Sequence, residues 1–185
     1  MQETLRQLIH LVFGLGIAAM VLTLDRTLAI QVLAAGLFFG IILVELILKG
    51  YRVPLFSRLV ASLDRSDPLP GRGAFYFAIS ALTCVVIFPV NIAVPALVTI
   101  AVLDCVTTLA GVRFGRTRIW NGKSLEGTLA GIAVTAVVLL PFLSLPGALV
   151  VAATAGVIEL VSPIDDNLVV PVGTCILLSL FPSLL

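Results

Sequence analysis

Charge is scarce in this sequence. Of its 185 residues, 11% are Asp, Glu, Lys or Arg, where soluble domains carry about 25%. Sixty per cent are hydrophobic, and the mean hydropathy is +1.21. These values exclude an ordinary soluble domain, a disordered chain and a basic nucleic-acid binder, so no nucleic-acid partner is expected. Cysteine is also sparse. Cys84, Cys105 and Cys175 all sit inside apolar runs, without metal-ligand spacing, which excludes a disulfide scaffold. The opening stretch carries Glu3, and no clear small-residue cleavage site follows, so the first apolar segment is expected to be a retained helix rather than a signal peptide. Net charge is +1. Overall charge therefore points to no partner, although its distribution does.

Apolar runs cover about Leu8–Leu24, Leu28–Leu48, Ala74–Val112, Thr128–Val161 and Leu168–Leu185. A bilayer span needs about 20 apolar residues, so the third and fourth runs are too long for one crossing. Pro89, Asn91 and Pro95 interrupt the third, and Pro141, Pro146 and Gly147 the fourth. Proline ends a helix or begins the next, so each long run reads as a helical hairpin. The runs are continuous rather than alternating, which argues against a β-barrel. The expectation is an all-α polytopic membrane bundle of about seven transmembrane helices, forming a single integral-membrane domain over residues 1–185.

The cations are one-sided. In a seven-span arrangement Arg6, the Lys49–Arg72 loop and the Arg113–Lys123 loop share one side, and ten of the eleven Lys and Arg fall there. Only Arg26 lies on the other. Excess Lys and Arg mark the cytoplasmic side, which predicts an N-terminus in the cytoplasm and a C-terminus outside, with a cell-membrane location.

Polar residues gather on that same side. His10, Glu45, Asp104 and Glu159 fall near the cytoplasmic ends of their spans. A carboxylate within a span costs roughly 2.5–3.5 kcal/mol on insertion scales and is a functional candidate by default. Glu3, Arg6, His10 and Gly14 share one helical face, as do Asp104, Thr108, Gly111 and Gly115. A packing stripe with a paired acid is the plain alternative for each. The segment from Gly111 to Gly127 holds four glycines and four cations and leads into a helix start at Lys123-Ser124. Close backbone approach at glycine and free N–H groups at a helix start suit a phosphate, although a basic loop resting on anionic lipid reads equally well. It is not a Walker A loop, because Thr117 stands where the first glycine would fall. Glu159, Asp165, Asp166 and Asn167 offer hard oxygen ligands of the kind Mg²⁺ uses, or a solvated turn with a helix cap. Arg72, between Gly71 and Gly73, could reach a phosphate or a lipid headgroup.

Several of these motifs occur in an order that resembles the CTP-dependent polyprenol and lipid kinases, the group of dolichol kinase, phytol kinase and the CTP-using diacylglycerol kinase, which is similar to the phosphatidate cytidylyltransferases. Arg6 through His10 to Gly14 resembles that family's opening R-K-x-x-H-x-x-x-G. Gly71-Arg72-Gly73-Ala74 resembles its glycine turn before the third span. Asp104, Gly111 and Gly115 followed by Lys123-Ser124-Leu125-Glu126-Gly127-Thr128 resembles its D…G…G…K-S-x-E-G-[ST] signature. Glu159 with Asp165-Asp166-Asn167-Leu168 and Pro171 resembles its E…D-D-N-L-x-x-P ending. The family's lysine beside the first arginine is Gln7 here.

The resemblance implies transfer of the γ-phosphate of CTP to the hydroxyl of a membrane isoprenoid alcohol at the cytoplasmic interface. It implies Asp104 and Lys123 as catalytic groups, with Asp104 a general base or a metal ligand, and Mg²⁺ held by Asp104, Asp165 and Asp166. Arg6, His10, Arg72, Gly111, Arg113, Gly115, Ser124, Glu126, Gly127, Glu159 and Asn167 would bind nucleotide or phosphate. The partners implied are CTP, the lipid alcohol and the bilayer. A cytidylyltransferase making a CDP-lipid would use nearly the same residues. A small transporter is a further alternative, but its polar groups would lie nearer mid-bilayer.

Overall fold

The computed structural model describes residues 2–51, 71–120 and 122–185. Seven α-helices are present among them: α1 Gln2–Thr23, α2 Arg26–Leu48, α3 Arg72–Ile87, α4 Val90–Phe114, α5 Leu125–Leu139, α6 Leu145–Val161 and α7 Asp166–Leu180. A short 3₁₀ helix, Pro182–Leu184, closes the chain. No strand forms among the described residues; the single isolated bridge pairs Arg118 with Ser124. The basic residues Arg52, Arg58 and Arg65 fall outside the described residues.

The all-α expectation holds. Three helices, α1, α2 and α4, are long and apolar enough to cross a membrane by themselves. The other four are apolar but run only 15 to 17 residues. At 1.5 Å per residue a 15-residue helix reaches about 22 Å, short of a hydrocarbon core of about 30 Å.

Helix α4 is the centre of the bundle. Of its most apolar stretch, 78% is buried, against 28% for α1 and 11% for α2. Helices α1, α5, α6 and α7 pack directly on α4, while α3 is held mainly between α2 and α7. Large apolar side chains cover the outer faces: Val12, Phe39, Val137 and Leu180 are all about two-thirds exposed. Water would penalise so much exposed apolar surface, whereas lipid would not.

Helix boundaries follow the proline and capping residues. Pro89 caps the start of α4, and Ser144 caps α6 by accepting from the Gly147 N–H, with Pro146 in the first turn. Asp25 caps α2. Arg26, the one cation expected on the far side, donates to the carbonyls of Val85 (3.0 Å) and Val86 (2.8 Å), satisfying the end of α3. One boundary expectation is corrected: Pro95 does not break the third run but lies inside α4. It sits six residues from the helix start, where its missing N–H costs a bond only to the first turn.

Pro171 lies at the same depth in α7. Without an N–H, it frees the carbonyl of Asn167 four residues back. Ser80 Oγ on α3 takes up that carbonyl at 2.6 Å. A proline thus ties α3 to α7 and fixes Asn167 at the start of the helix.

Candidate functional site

The polar residues of α1, α3, α4, α6 and α7 meet at one end of the bundle. On α1, His10 Nε2 lies 3.7 Å from Asp104 Oδ2 on α4, just beyond hydrogen-bond length. The His10 ring stands edge-on to Phe77 of α3, with centroids 5.4 Å apart. One turn further along α4, Thr107 Oγ1 donates to Glu159 Oε1 of α6 at 2.8 Å. Lys123 then joins α6 to α7: its ammonium donates to the Glu159 carbonyl and to Asp166 Oδ2, and stands 3.5 Å from Glu159 Oε1. Asp165 Oδ2 faces Arg72 Nε of α3 at 3.8 Å.

Lys123 reaches this cluster because of a tight turn. The Lys123 N–H bonds the Trp120 carbonyl and the Ile119 N–H bonds the Lys123 carbonyl, both at 2.9 Å. Gly122 sits at φ +75°, a conformation that only glycine adopts readily. Ser124 then caps α5 by accepting from the Gly127 N–H. The loop therefore doubles back, and its last cation points into the bundle.

The glycines have a packing role in this arrangement. A Cβ on Gly127 would stand 2.5 Å from the Thr107 carbonyl and 2.9 Å from Ser124 Oγ. Gly111 and Gly115 likewise make room for Ser124. These positions let α5 press against α4 where Thr107 and Asp104 are presented, instead of leaving backbone open for a phosphate.

Other expected site residues are elsewhere. Arg6 pairs with Glu3 on its own helix. Arg113 is exposed, with its guanidinium over the Phe114 ring, and lines an outer hollow of about 430 Å³ with Gly115, Arg116 and Glu126. Glu126 turns away from Lys123 and accepts from the backbone N–H groups of Arg116 and Thr117. It precedes the apolar run that begins at Thr128. Hydrogen bonds from its own backbone N–H, from Thr117 and from the Arg116 N–H hold its carboxyl well below the usual carboxylate range, at about 2.

The fit to Mg²⁺ is incomplete. Asp104 faces His10, Asp166 is engaged by Lys123, and Asp165 caps α7 and accepts from the Asn167 side chain. Among the described residues, no group of three or more His, Cys, Asp and Glu is placed to hold a metal ion.

Among the described residues, four atoms in this end of the bundle are buried without a hydrogen-bond partner: Gln7 Oε1, His10 Nε2, Glu159 Oε2 and Asn167 Oδ1. Gln7 and Glu159 are each only 3% exposed. Buried polar atoms are nearly always paired, and leaving one unpaired costs roughly 1–3 kcal/mol. The sequence had pointed to His10, Glu159 and Asn167. Gln7 was visible only as a departure from a motif, and Thr107 carried no signal beyond its place one turn from Asp104.

The chain is 38% identical over 176 residues to the uncharacterized protein MJ1137 of Methanocaldococcus jannaschii, covering 92% of this chain and 90% of the relative. It belongs to the MJ1137 family. No family model matches the chain, and no solved structure matches it. The shared length takes in nearly all of the bundle.

Proposed function

We propose that this protein is a CTP-dependent kinase that phosphorylates the hydroxyl of a membrane isoprenoid alcohol at the cytoplasmic face of the cell membrane. The observation that carries the reading is the set of four buried, unpartnered polar atoms on α1, α6 and α7, gathered at the end of the bundle that also holds Asp104 and Lys123. Such an end is suited to a polar ligand, while the outer surfaces are suited to lipid. Two partners of opposite solubility are what such a boundary can bring together. The order of the motifs supports CTP and an alcohol as those two. The one-sided cations support a cytoplasmic site, an N-terminus on the same side and a C-terminus outside.

In this reading Asp104 takes the proton of the alcohol as its oxygen attacks the γ-phosphorus. The bond from γ-phosphorus to the bridging oxygen breaks, and the electron pair leaves on CDP. Lys123 releases Asp166 to neutralise phosphate charge, because catalysis of phosphoryl transfer is mostly positioning and electrostatics. His10 faces Asp104 from α1. Asp104, Asp165 and Asp166 form no ligand set among the described residues, so a divalent cation would arrive with the nucleotide.

The test is product analysis. The purified full chain in detergent receives CTP, a divalent cation and a panel of prenols. Formation of CDP and a prenyl phosphate is the expected result. Pyrophosphate and a CDP-lipid from a lipid phosphate would establish the cytidylyltransferase alternative, and neither product would remove the enzyme reading.

A further inference from the structure

Gln7 is the least expected member of the polar end. It lies on α1, one turn before His10, and is 3% exposed. Its side-chain amide donates from Nε2 to Glu3 Oε1 at 3.3 Å. A carboxylate can only accept, so this contact fixes which end of the amide is the nitrogen. Oε1 is therefore the other end, and it is buried with no donor among the described residues.

The register of α1 on α4 gives its surroundings. A Cβ on Gly14 would touch Ala101, and His10 faces Asp104. The two helices run antiparallel, so Gln7 comes level with the turn after Asp104. Two carboxylates, of Asp104 and Glu3, share this face with the unpaired Gln7 Oε1, and a carboxylate only accepts. The cation on this face, Arg6, is engaged by Glu3. Such a surface repels a phosphate and calls for a group that brings a hydrogen-bond donor. Lys123, a half-buried cation, belongs instead to the α6 and α7 side of the cluster. Helix α1 is also largely uncovered on its outer face. There, half-exposed Phe13 packs with buried Phe77, which in turn meets His10, giving an apolar approach from the lipid side.

We infer that Gln7 Oε1 accepts the hydrogen bond of the lipid alcohol's hydroxyl, making Gln7 the residue that orients the acceptor substrate. The inference rests on the alcohol-kinase reading for the identity of the donor. It divides the polar end into a hydroxyl side on α1 and a phosphate side on α6 and α7.

The experiment compares the wild-type protein with Gln7→Met and Gln7→Asn in nanodiscs. The probes are geranylgeraniol and its O-methyl ether, which lacks the O–H donor. Thermal shift without nucleotide reads binding, and steady-state transfer reads KM for the alcohol and for CTP. Gln7→Met removes a buried orphan acceptor, so the empty protein should melt at the same temperature or higher. Its affinity for geranylgeraniol should fall about 10-fold, the scale of one hydrogen bond to a buried polar group. Its discrimination against the ether should shrink by the same factor, with KM for CTP unchanged. Gln7→Asn, which keeps an amide but withdraws it, should lose affinity without the gain in melting temperature. Unchanged alcohol affinity in both variants, or a rise in KM for CTP instead, overturns the inference and leaves the kinase reading standing. Gln7-dependent binding of the alcohol with no transfer in any protein upholds the inference while the kinase reading fails.

Discussion

The ammonium of Lys123 and the carboxylate of Asp166 are hydrogen-bonded across 43 residues of sequence. The bond joins the loop before α5 to the first turn of α7. Lys123 also holds the carbonyl of Glu159, so a single side chain ties together the ends of two helices. Removing one partner of a buried ion pair strands the other and costs roughly 3–5 kcal/mol. Lys123 and Asp166 are still 24% and 19% exposed, so solvent reduces that cost. Lys123→Met and Asp166→Asn should each lower the melting temperature, and the double variant should lose less than their sum. A double-mutant cycle by thermal denaturation in one detergent checks this. Strict additivity would show that the pair is not coupled.

Gly127→Ala should destabilise the α4–α5 contact. The new methyl group would meet the Thr107 carbonyl at 2.5 Å, and both backbones would have to part. Overpacking of this kind costs typically about 1–3 kcal/mol. Because Thr107 holds Glu159, activity should fall more than stability does. Parallel melting curves and transfer assays separate the two effects.

Thr107→Val keeps the shape of the side chain and deletes its hydroxyl. Glu159 would then lose the donor to Oε1 while Oε2 already lacks one. Leaving a buried carboxylate oxygen without a donor costs about 1–3 kcal/mol or more. Thr107→Ser, which restores the donor, should recover most of the loss. Failure of the serine to rescue would mean that the methyl group, rather than the hydrogen bond, matters at this position.

The Glu126 clamp predicts how the loop answers to pH. Its carboxyl is held at about 2, below the ordinary value of 4.5. A depressed folded-state value contributes order above the unfolded value and loses it as pH falls toward the folded one. The loop should therefore stay anchored from neutral pH down to about 4.5 and loosen only as pH approaches about 2. Glu126→Gln should loosen it at every pH. Resistance of the Arg116 and Arg118 bonds to trypsin at pH 7 reads the second effect directly, with Glu126→Gln cut faster than the wild-type protein.

Much of the fold was legible because prolines and caps act locally. Pro89, Pro146 and Asp165 mark helix starts that depend on little beyond their own turn. Pro95 lies inside α4 rather than at its edge because, at the sixth residue, its missing N–H costs only one bond, to a carbonyl of the first turn. The site was half legible. Carboxylates in apolar runs stand out, so Asp104, Glu159 and the Asp165-Asp166 pair could be found. The resemblance singled out Lys123, but the residues alone did not separate it from Arg113, because the difference depends on the turn at Gly122 that carries Lys123 inward while Arg113 stays outside. Glycines near cations suggested a phosphate cradle; tertiary contact with Ser124 and Thr107 uses them for close packing. Gln7 is ordinary in sequence and becomes notable only once its burial is known.

Metal dependence should follow the nucleotide. Without an assembled carboxylate set among the described residues, Mg²⁺ alone should leave the melting temperature unchanged. Mg²⁺ with CTP should raise it, because a ligand that binds only the folded state stabilises by mass action. A shift with Mg²⁺ alone would reveal a preformed site.

The most direct test is transfer from CTP labelled at the γ-phosphate to geranylgeraniol by the wild-type protein and by Asp104→Asn, at matched folded fractions. Asn keeps the size of the side chain and removes the proton acceptor. The account requires labelled prenyl phosphate from the wild-type protein and at least about a 100-fold lower rate from the variant, the scale of one general base. Equal rates from the two proteins, or no labelled lipid from either, would contradict it.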